Sequence, residues 1–384
     1  MIYFDNASTY HPKSPKIPEA ISQYLNQIIA SPGRGGHSHG QMAGRLQEET
    51  KEVLRGLFNA ERTDQFHFCA NATHGLNFII QSLIGRGDHV VTSALEHNSV
   101  LRPLKKMSHD RQAEITIVPA SSEGRVDPEN IISSTRPNTK LVVLNHASNV
   151  LGTVLPLEKI LRFCKDKGIS TLVDTSQTAG KIKIDLQKLP MDFMVATGHK
   201  ALRGPSGIGV IYTRRIDLLS PLIVGGTGGN SLSLWHPENP QHIFEAGTPN
   251  YLGIAALKAS LEDFDIEYAD LPKELEIINY IQKELRKING VTLYGCSSLE
   301  NRIPIVSFNI NGLSSQKALA IYDETYGIML RAGLHCAPIA HQMIASLPHG
   351  ALRLSLGHAN TMDEAATFIE STQNIVAENQ SGTL

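Results

Sequence analysis

The stretch Asp192–Gly209, DFMVATGHKALRGPSGIG, holds the side chains best placed to do chemistry. A short apolar run, Phe193–Ala196, leads into a polar turn, Thr197-Gly198-His199, and then Lys200. A Gly/Pro-rich segment, Gly204-Pro205-Ser206-Gly207, precedes a second apolar run, Ile208–Tyr212. A lysine at the carboxyl end of a strand, beside a hydroxyl and an imidazole, is where an α/β sheet holds a reactive amine near a phosphate. The alternative is a solvated surface lysine, the usual fate of that residue. Other groups fall at comparable places. Thr73-His74-Gly75 opens a helix after the run Phe66–Ala70, and a helix N-terminus with free N–H groups and a hydroxyl is an anion site. His97 follows the run His89–Ser93 and can stack on a flat ring or serve as an ordinary loop histidine. Asp174 ends the run Thr171-Leu172-Val173; its carboxylate can pair with a protonated ring nitrogen or cap the next segment. Gln177 can donate to a phenolate oxygen, and Thr197 and His199 can bind phosphate on either side of the lysine turn.

Each signal is weak alone. Together they match pyridoxal phosphate, which needs an amine for a Schiff base, an anion for its pyridinium nitrogen and donors for its phosphate. A nucleotide-binding α/β module competes for the same pattern, but the chain has neither a Gly-x-Gly-x-x-Gly strand turn nor a P-loop.

The elements that position these groups are legible as alternation. Strand-like runs at Phe66–Ala70, His89–Ser93, Glu114–Val118, Lys140–His146, Ser170–Asp174, Asp192–Ala196 and Ile208–Tyr212 alternate with helix-like segments such as Thr73–Leu83 and Leu157–Lys167. This predicts a mostly parallel seven-stranded sheet with helices on both faces and ligands at its carboxyl edge. Before it, residues 1–65 read as an entry arm punctuated by Pro12, Pro15 and Pro18, with helices at Ile17–Ile29 and Gln41–Phe58 around a glycine-rich loop. After it, a loop at Gly225–Asn230 breaks the pattern, and a helical region runs from about Asn250 to about Ile288, broken near Pro272. A smaller α+β domain follows, with strands near Val291–Tyr294, Ile305–Ile310, Ile328–Ala332 and Ala351–Leu356 and helices near Gln316–Tyr326 and Met362–Ala377. The expected division is an arm over 1–20 joining the small domain, a large cofactor-binding domain over 21–250, and a connecting helix with the small domain over 251–384.

With 384 residues, 41% apolar and 19% charged, the chain suits a soluble two-domain protein. Its 35 basic and 37 acidic residues leave no basic surplus for nucleic acid or anionic membrane. The start, MIYFDNAST, lacks a basic region and a long apolar stretch, so no signal peptide is expected, and no run approaches membrane-spanning length. Four cysteines make no disulfide framework, which points to a reducing cytoplasm. Neither Cys-x-x-Cys nor His-Glu-x-x-His occurs, so no metal site is expected. Among the cysteines, Cys69 and Cys164 read as core or structural residues, and Cys296 as an exposed turn residue without a basic neighbour in sequence. Cys336, in RAGLHCAP, has Arg331 and His335 nearby to favour its thiolate, so a nucleophile and an ordinary loop cysteine are equally open from spacing.

The motifs YFDNAST, ATHGLN (72–77), LEHNS (95–99), HASNVLGT (146–153), VDTSQTAG (173–180), ATGHKALRGPSGIG (196–209), FEAGTPN (244–250) and RAGLHCAP (331–338) occur in one order along nearly the whole chain. In this the chain resembles the class V aminotransferase family of fold type I pyridoxal-phosphate proteins, and within it the cysteine desulfurases. RxGxHCAP resembles the nucleophile segment of their group II branch, which includes Suf-type enzymes and selenocysteine lyases. The resemblance implies Lys200 as the Schiff-base lysine, Asp174 on the pyridinium nitrogen, His97 on the ring face, Gln177 on the phenolic oxygen, and Thr73, with His74 beside it, Thr197 and His199 around the phosphate. It implies a homodimer with shared sites in which Thr248 reaches the neighbour's phosphate. Asn149 would sit near the substrate, and Arg353, with Arg331, would hold its carboxylate as a planar donor. The implied reaction removes sulfur from L-cysteine, releasing L-alanine and leaving a persulfide on Cys336 for an acceptor protein in iron–sulfur or other sulfur chemistry. Lys200 would move the α-proton and His97 would shuttle a proton near the thiol. L-selenocysteine lyase, an isopenicillin-type epimerase and a small-substrate transaminase share Lys200 and Asp174 and remain alternatives, as does a pyridoxal-binding scaffold without activity.

Overall fold

The computed structural model describes residues 1–28, 37–227, 232–237, 243–244, 246–263 and 270–383; the glycine loop expected at Gly225–Asn230 lies partly outside them. The first strand, β1 (Ile2–Tyr3), belongs to the N-terminal arm. The helices α1 (Lys16–Gln27) and α2 (Ser38–Leu57) follow. The latter begins three residues before the expected start because the His37 side chain accepts the Gly40 N–H and caps it.

The next seven strands are β2 (Phe66–Cys69), β3 (His89–Ser93), β4 (Glu114–Val118), β5 (Thr139–Asn145), β6 (Ser170–Asp174), β7 (Phe193–Thr197) and β8 (Gly209–Thr213). They form one sheet in the order β2-β8-β7-β6-β5-β3-β4. Only β8 runs against the others, pairing antiparallel with β2 and β7. Alternation along the strands divides their side chains between the two faces. Val91, Val142, Leu144 and Val173 join the core on one face, and Val90, Leu141, Val143 and Leu172 join the core on the other. Both faces are therefore covered, which explains why these strands read as continuous apolar runs. The covering helices include α3 (Ala72–Leu83), α4 (Asn98–Arg111), α5 (Pro128–Ser133) and α6 (Leu157–Lys167).

Beyond the sheet come α7 (Tyr251–Glu262) and α8 (Asp270–Leu285). The expected break near Pro272 falls earlier, between these helices, and Pro272 sits in the first turn of α8, where a missing N–H disturbs no helical bond. The chain then builds β9 (Val291–Tyr294), β10 (Ile305–Ile310), α9 (Ser315–Tyr326), β11 (Ile328–Met329), β12 (Arg331–Gly333), α10 (Pro338–Met343), β13 (Ala351–Ser355) and α11 (Met362–Ser381). A second, antiparallel sheet has the order β12-β13-β10-β9. The single strand expected over Ile328–Ala332 is two strands with different partners. β11 pairs parallel with β1 of the arm, and after Leu330 the chain crosses to pair with β13. A separate core centres on Phe308, Tyr322 and Phe368, and Phe4 from the arm completes it edge-on to Phe368. No helix among the described residues is long and apolar enough to cross a membrane.

One buried ion pair joins the two halves. The Lys181 amine donates to both Glu274 oxygens at 2.6 Å, with both side chains out of solvent. Removing one partner strands the other charge, which costs about 3–5 kcal/mol. Lys181→Met should lower stability by about that amount in urea unfolding, and Lys181→Met/Glu274→Leu by less. A single variant within about 1 kcal/mol of wild type would show that the pair holds nothing together.

Candidate active site

The carboxyl ends of β5, β6 and β7 and the N-termini of α3 and α4 converge on a cavity of about 220 Å³. Its wall includes Thr73, His97, Asn149, Asp174, Gln177, Thr197, His199 and Lys200. The lysine turn is held from below. The Gly198 N–H donates to the Ile208 carbonyl at 2.9 Å, and the Gly204 N–H donates to the Gly198 carbonyl at 2.8 Å. Gly180, at φ +85°, lies so close to the Ala201 carbonyl that a methyl group there would overlap it. This close approach explains the glycine that ends VDTSQTAG.

Lys200 is half-buried and its amine is pushed down to about 8. Burial is the main cause; Arg353 and Arg331 add to it, while Asp174 opposes it. Such an amine is partly neutral near pH 7, the form that attacks a carbonyl. His97 caps α4, and its Nδ1 accepts the Ser99 N–H at 3.1 Å. Burial, then the Lys200 charge, pushes His97 down to about 4. It is therefore neutral and carries its hydrogen on Nε2. Ser99 Oγ bridges this ring to the Thr73 hydroxyl, at 2.8 and 2.7 Å.

Asp174 is buried at the end of β6, and its Oδ1 accepts the Ser176 N–H at 2.9 Å. Behind it lies Glu96, which the sequence did not single out. One Glu96 oxygen accepts from the Ser93 hydroxyl and the Asn145 N–H; the other has no partner. Burial pushes Glu96 up to about 8, and the Asp174 charge adds to the shift. At neutral pH it is an uncharged acid, so Asp174 is the carboxylate that the wall presents to the cavity.

This donor set fits pyridoxal phosphate. An amine, a carboxylate and the hydroxyl-bearing start of a twelve-residue helix line one space. The wall residues Asn145, Asn149 and Ser176 each carry a buried side-chain oxygen with no partner. Among the described residues no group of three or more His, Cys, Asp or Glu could hold a metal.

Other expected residues lie off the wall. His74 turns back, its Nδ1 accepting the Ala70 N–H at 3.4 Å. Thr248 is exposed. Arg331 and Arg353 are cross-strand partners on β12 and β13. Arg353 is 1% exposed and donates to the Asn149 carbonyl (3.0 Å), Asp5 Oδ1 (2.7 Å) and Ser8 Oγ (2.8 Å), while Arg331 reaches the same Ser8 hydroxyl at 2.8 Å. The arm thus closes the site, with the Gln177 amide donating to the Ala7 carbonyl at 3.1 Å and Lys13 Nζ to the His199 carbonyl at 2.6 Å. Sequence reasoning missed Asp5 and Ser8 although both lie within or beside YFDNAST, because nothing local says where that motif lands.

Cys336 is the exposed cysteine. Its turn is pinned to the cavity rim: its carbonyl accepts the Asn98 N–H at 2.7 Å, and the His335 carbonyl accepts from Asn149 Nδ2 at 2.8 Å. Burial pushes the thiols of Cys69 and Cys164 up to about 12. Cys296 is not exposed, as its turn suggested, but buried. Its sulfur accepts from Arg125 Nη2 at 3.1 Å and the Ser298 N–H at 3.3 Å, so its basic neighbour comes from a distant loop.

Two outcomes follow from these charges. Reductive methylation of the cofactor-free protein, read by mass spectrometry across pH, should modify Lys200 with a midpoint near 8; a midpoint equal to that of surface lysines would contradict the desolvated amine. Glu96 titrates higher when folded than its ordinary 4.5, so the native state binds its proton more tightly. Wild-type stability should therefore fall relative to Glu96→Gln as pH rises from 4.5 toward about 8, by up to about 1.4 kcal/mol per unit. Parallel stability curves would rule this out.

Comparison with known proteins agrees with this geometry. Residues 2–368 match the family model described as aminotransferase class-V. A probable cysteine desulfurase of Pyrococcus abyssi is 30% identical, the match covering 98% of this chain and 94% of that protein. A probable cysteine desulfurase of Xylella fastidiosa is 32% identical over 96% and 89%. The solved apo structure of a cysteine desulfurase from Thermococcus onnurineus NA1 superposes with a TM-score of 0.90 at 30% identity, over 98% of this chain and 94% of that one. A lysine turn at the end of a sheet strand, a carboxylate one strand away, and a family match spanning almost every residue lead to one conclusion: this chain belongs to the class-V aminotransferase family.

Proposed function

We propose that the chain is a pyridoxal-phosphate-dependent cysteine desulfurase that takes L-cysteine, releases L-alanine and keeps the sulfur as a persulfide on Cys336. The observation that carries this is an exposed thiol whose turn is hydrogen-bonded to Asn98, the residue after His97 in the wall of the lysine cavity.

Pyridoxal phosphate, when bound, supplies a carbonyl that captures an amino group and a ring that withdraws electrons from the α-carbon. Lys200 would hold it, with Asp174 on its ring nitrogen, His97 on its face, Gln177 at its phenolic oxygen, and Thr73, Thr197 and His199 at its phosphate. The Lys200 amine, brought near neutrality, removes and returns the α-proton. Arg353, with Arg331 beside it, offers its guanidinium to the substrate carboxylate in place of Asp5. The Cys336 thiolate attacks the substrate sulfur. A sulfur–sulfur bond forms, the substrate carbon–sulfur bond breaks, and its electron pair returns to the carbon skeleton, which takes up a proton to become alanine. His97, with its hydrogen on Nε2, shuttles a proton beside the thiol turn.

The same reading includes a homodimer in which Thr248 serves the neighbour's phosphate. It is supported by Leu232, Leu234 and Trp235, which are 97, 102 and 87% exposed, since apolar side chains this bare mark an interaction surface. It includes transfer of the sulfur to an acceptor protein for iron–sulfur assembly in the cytoplasm. It also includes the division into arm 1–20, large domain 21–250, and a connecting helix with the small domain over 251–384. The separate core around Phe308 and Phe368 supports a second domain, while Tyr251, Ile254, Leu257 and Leu261 of the connecting helix pack into the core of the large sheet.

After addition of L-cysteine, mass spectrometry should find one extra sulfur on the peptide holding Cys336, and Cys336→Ala should slow alanine release at least about a hundredfold. Full activity in Cys336→Ala would overturn the persulfide mechanism; if selenocysteine alone were turned over by that variant, the protein would be a lyase for selenium instead.

A further inference from the structure

We infer that His341 is a positioning residue for the Cys336 nucleophile, acting through His335 as the middle link of a buried Ser346–His341–His335 chain. This deepens the proposed reaction and rests on it for its rate measurements.

The nucleophile turn needs holding. His335 and Cys336 have φ values of +49° and +57°, two successive non-glycine residues in the left-handed region. Side chains with a Cβ avoid that region, and it persists where the surroundings over-determine it. The turn's carbonyls are restrained by Asn98 and Asn149, and the Ala337 N–H closes it onto the Leu334 carbonyl at 2.8 Å. Those bonds leave the side chains undirected. The histidine chain supplies that direction. The helix α10 starts two residues after Cys336 and brings His341 back under the turn, fully buried. His341 Nε2 lies 3.1 Å from His335 Nδ1, and its Nδ1 lies 2.7 Å from Ser346 Oγ. The two ring planes lie 28° apart with centroids at 5.2 Å, so the rings meet nitrogen to nitrogen.

The chemistry of the contact is restrictive. A nitrogen–nitrogen contact of this length needs one hydrogen, with one ring donating and the other accepting. Two protonated rings would repel. Burial comes first in keeping both imidazoles neutral; the charge of Arg353 on β13 adds to it at both rings, and that of Arg331 on β12 at His335 alone. His335 Nε2, Arg353 Nε and Asn149 Oδ1 are all buried without partners. Asn149 links these groups, its amide to the His335 carbonyl and its own carbonyl to Arg353 Nη1. The thiol that attacks and the guanidinium that would hold the substrate are therefore referenced to one rigid set of hydrogen bonds.

The test uses the cofactor-loaded full chain as wild type, His341→Leu, His341→Gln and Ser346→Ala. His341→Leu should lower kcat for alanine release about tenfold to a hundredfold, since displacement of a reacting atom by about 1 Å has effects of that size. KM for L-cysteine and cofactor absorbance should stay within about twofold, because Lys200, Asp174 and Arg353 are untouched. Hydrogen exchange without substrate should show the Asn98 and Ala337 amides losing protection. His341→Gln, which keeps an amide able to donate to His335, should recover most of the rate; Ser346→Ala should lower kcat at unchanged KM. A purely structural histidine would lower KM performance and cofactor binding together with kcat and show no rescue by glutamine. The proposal is overturned by that pattern, by wild-type kcat in His341→Leu, or, should the leucine variant not fold, by wild-type kcat in Ser346→Ala. If wild type itself formed no persulfide, the proposed reaction would fall, while the exchange data would still decide whether His341 holds the turn.

Discussion

A guanidinium buried at Arg353 must be answered by partners, because it cannot shed its proton and gains nothing from water. Its partners come from places far apart in sequence. Asp5 and Ser8 come from the arm, and the Asn149 carbonyl comes from the loop after β5. A positive charge in the small antiparallel sheet thus draws the N-terminus across the mouth of the large sheet. The arm then fixes Gln177 through Ala7 and the lysine turn through the His199 carbonyl. Replacing Asp5 by a substrate carboxylate would exchange one anion for another at the same guanidinium, which keeps the buried charge compensated throughout.

The same cation shapes the chemistry of Lys200. Burial disfavours its ammonium, and Arg353 and Arg331 disfavour it further, with Asp174 as the main opposing charge. Glu96, held uncharged behind Asp174, adds no second anion to that balance at neutral pH. The amine is poised by few groups, most of them contributed by different elements, and this explains why the site occurs where two sheets and an arm meet.

Much of this was legible in the sequence. The strands of the large sheet were found within one residue because all but the partly exposed edge strand β4 are buried along their length and read as largely apolar runs. Lys200, Asp174, His97 and Thr197 were legible because strand ends and helix starts can be located from such runs, and ligands collect there. What was hidden depends on contacts without a local signal. Asp5 meets Arg353 across 348 residues. Arg125 reaches Cys296 across 171, which overturned the reading of that cysteine as exposed. The change of partner between β11 and β12 was invisible because only Leu330 separates the two segments and no turn residue marks the crossing. Glu96 was passed over because a glutamate after a strand ordinarily faces solvent. The pairing of His335 with His341 depends on the left-handed turn at Cys336, which no residue type announces.

The pairing of β1 with β11 dictates an order of assembly on the ribosome. The large sheet uses residues 66–213 and can close, with its lysine cavity, while the C-terminal third of the chain is still being made. Ile2 and Tyr3 have no strand to join until Ile328 and Met329 appear, and Asp5 has no guanidinium to meet until Arg353 does. The arm is therefore made long before the strand and the guanidinium that hold it, so the amine exists before the thiol and the door shuts only once Arg353 has been made.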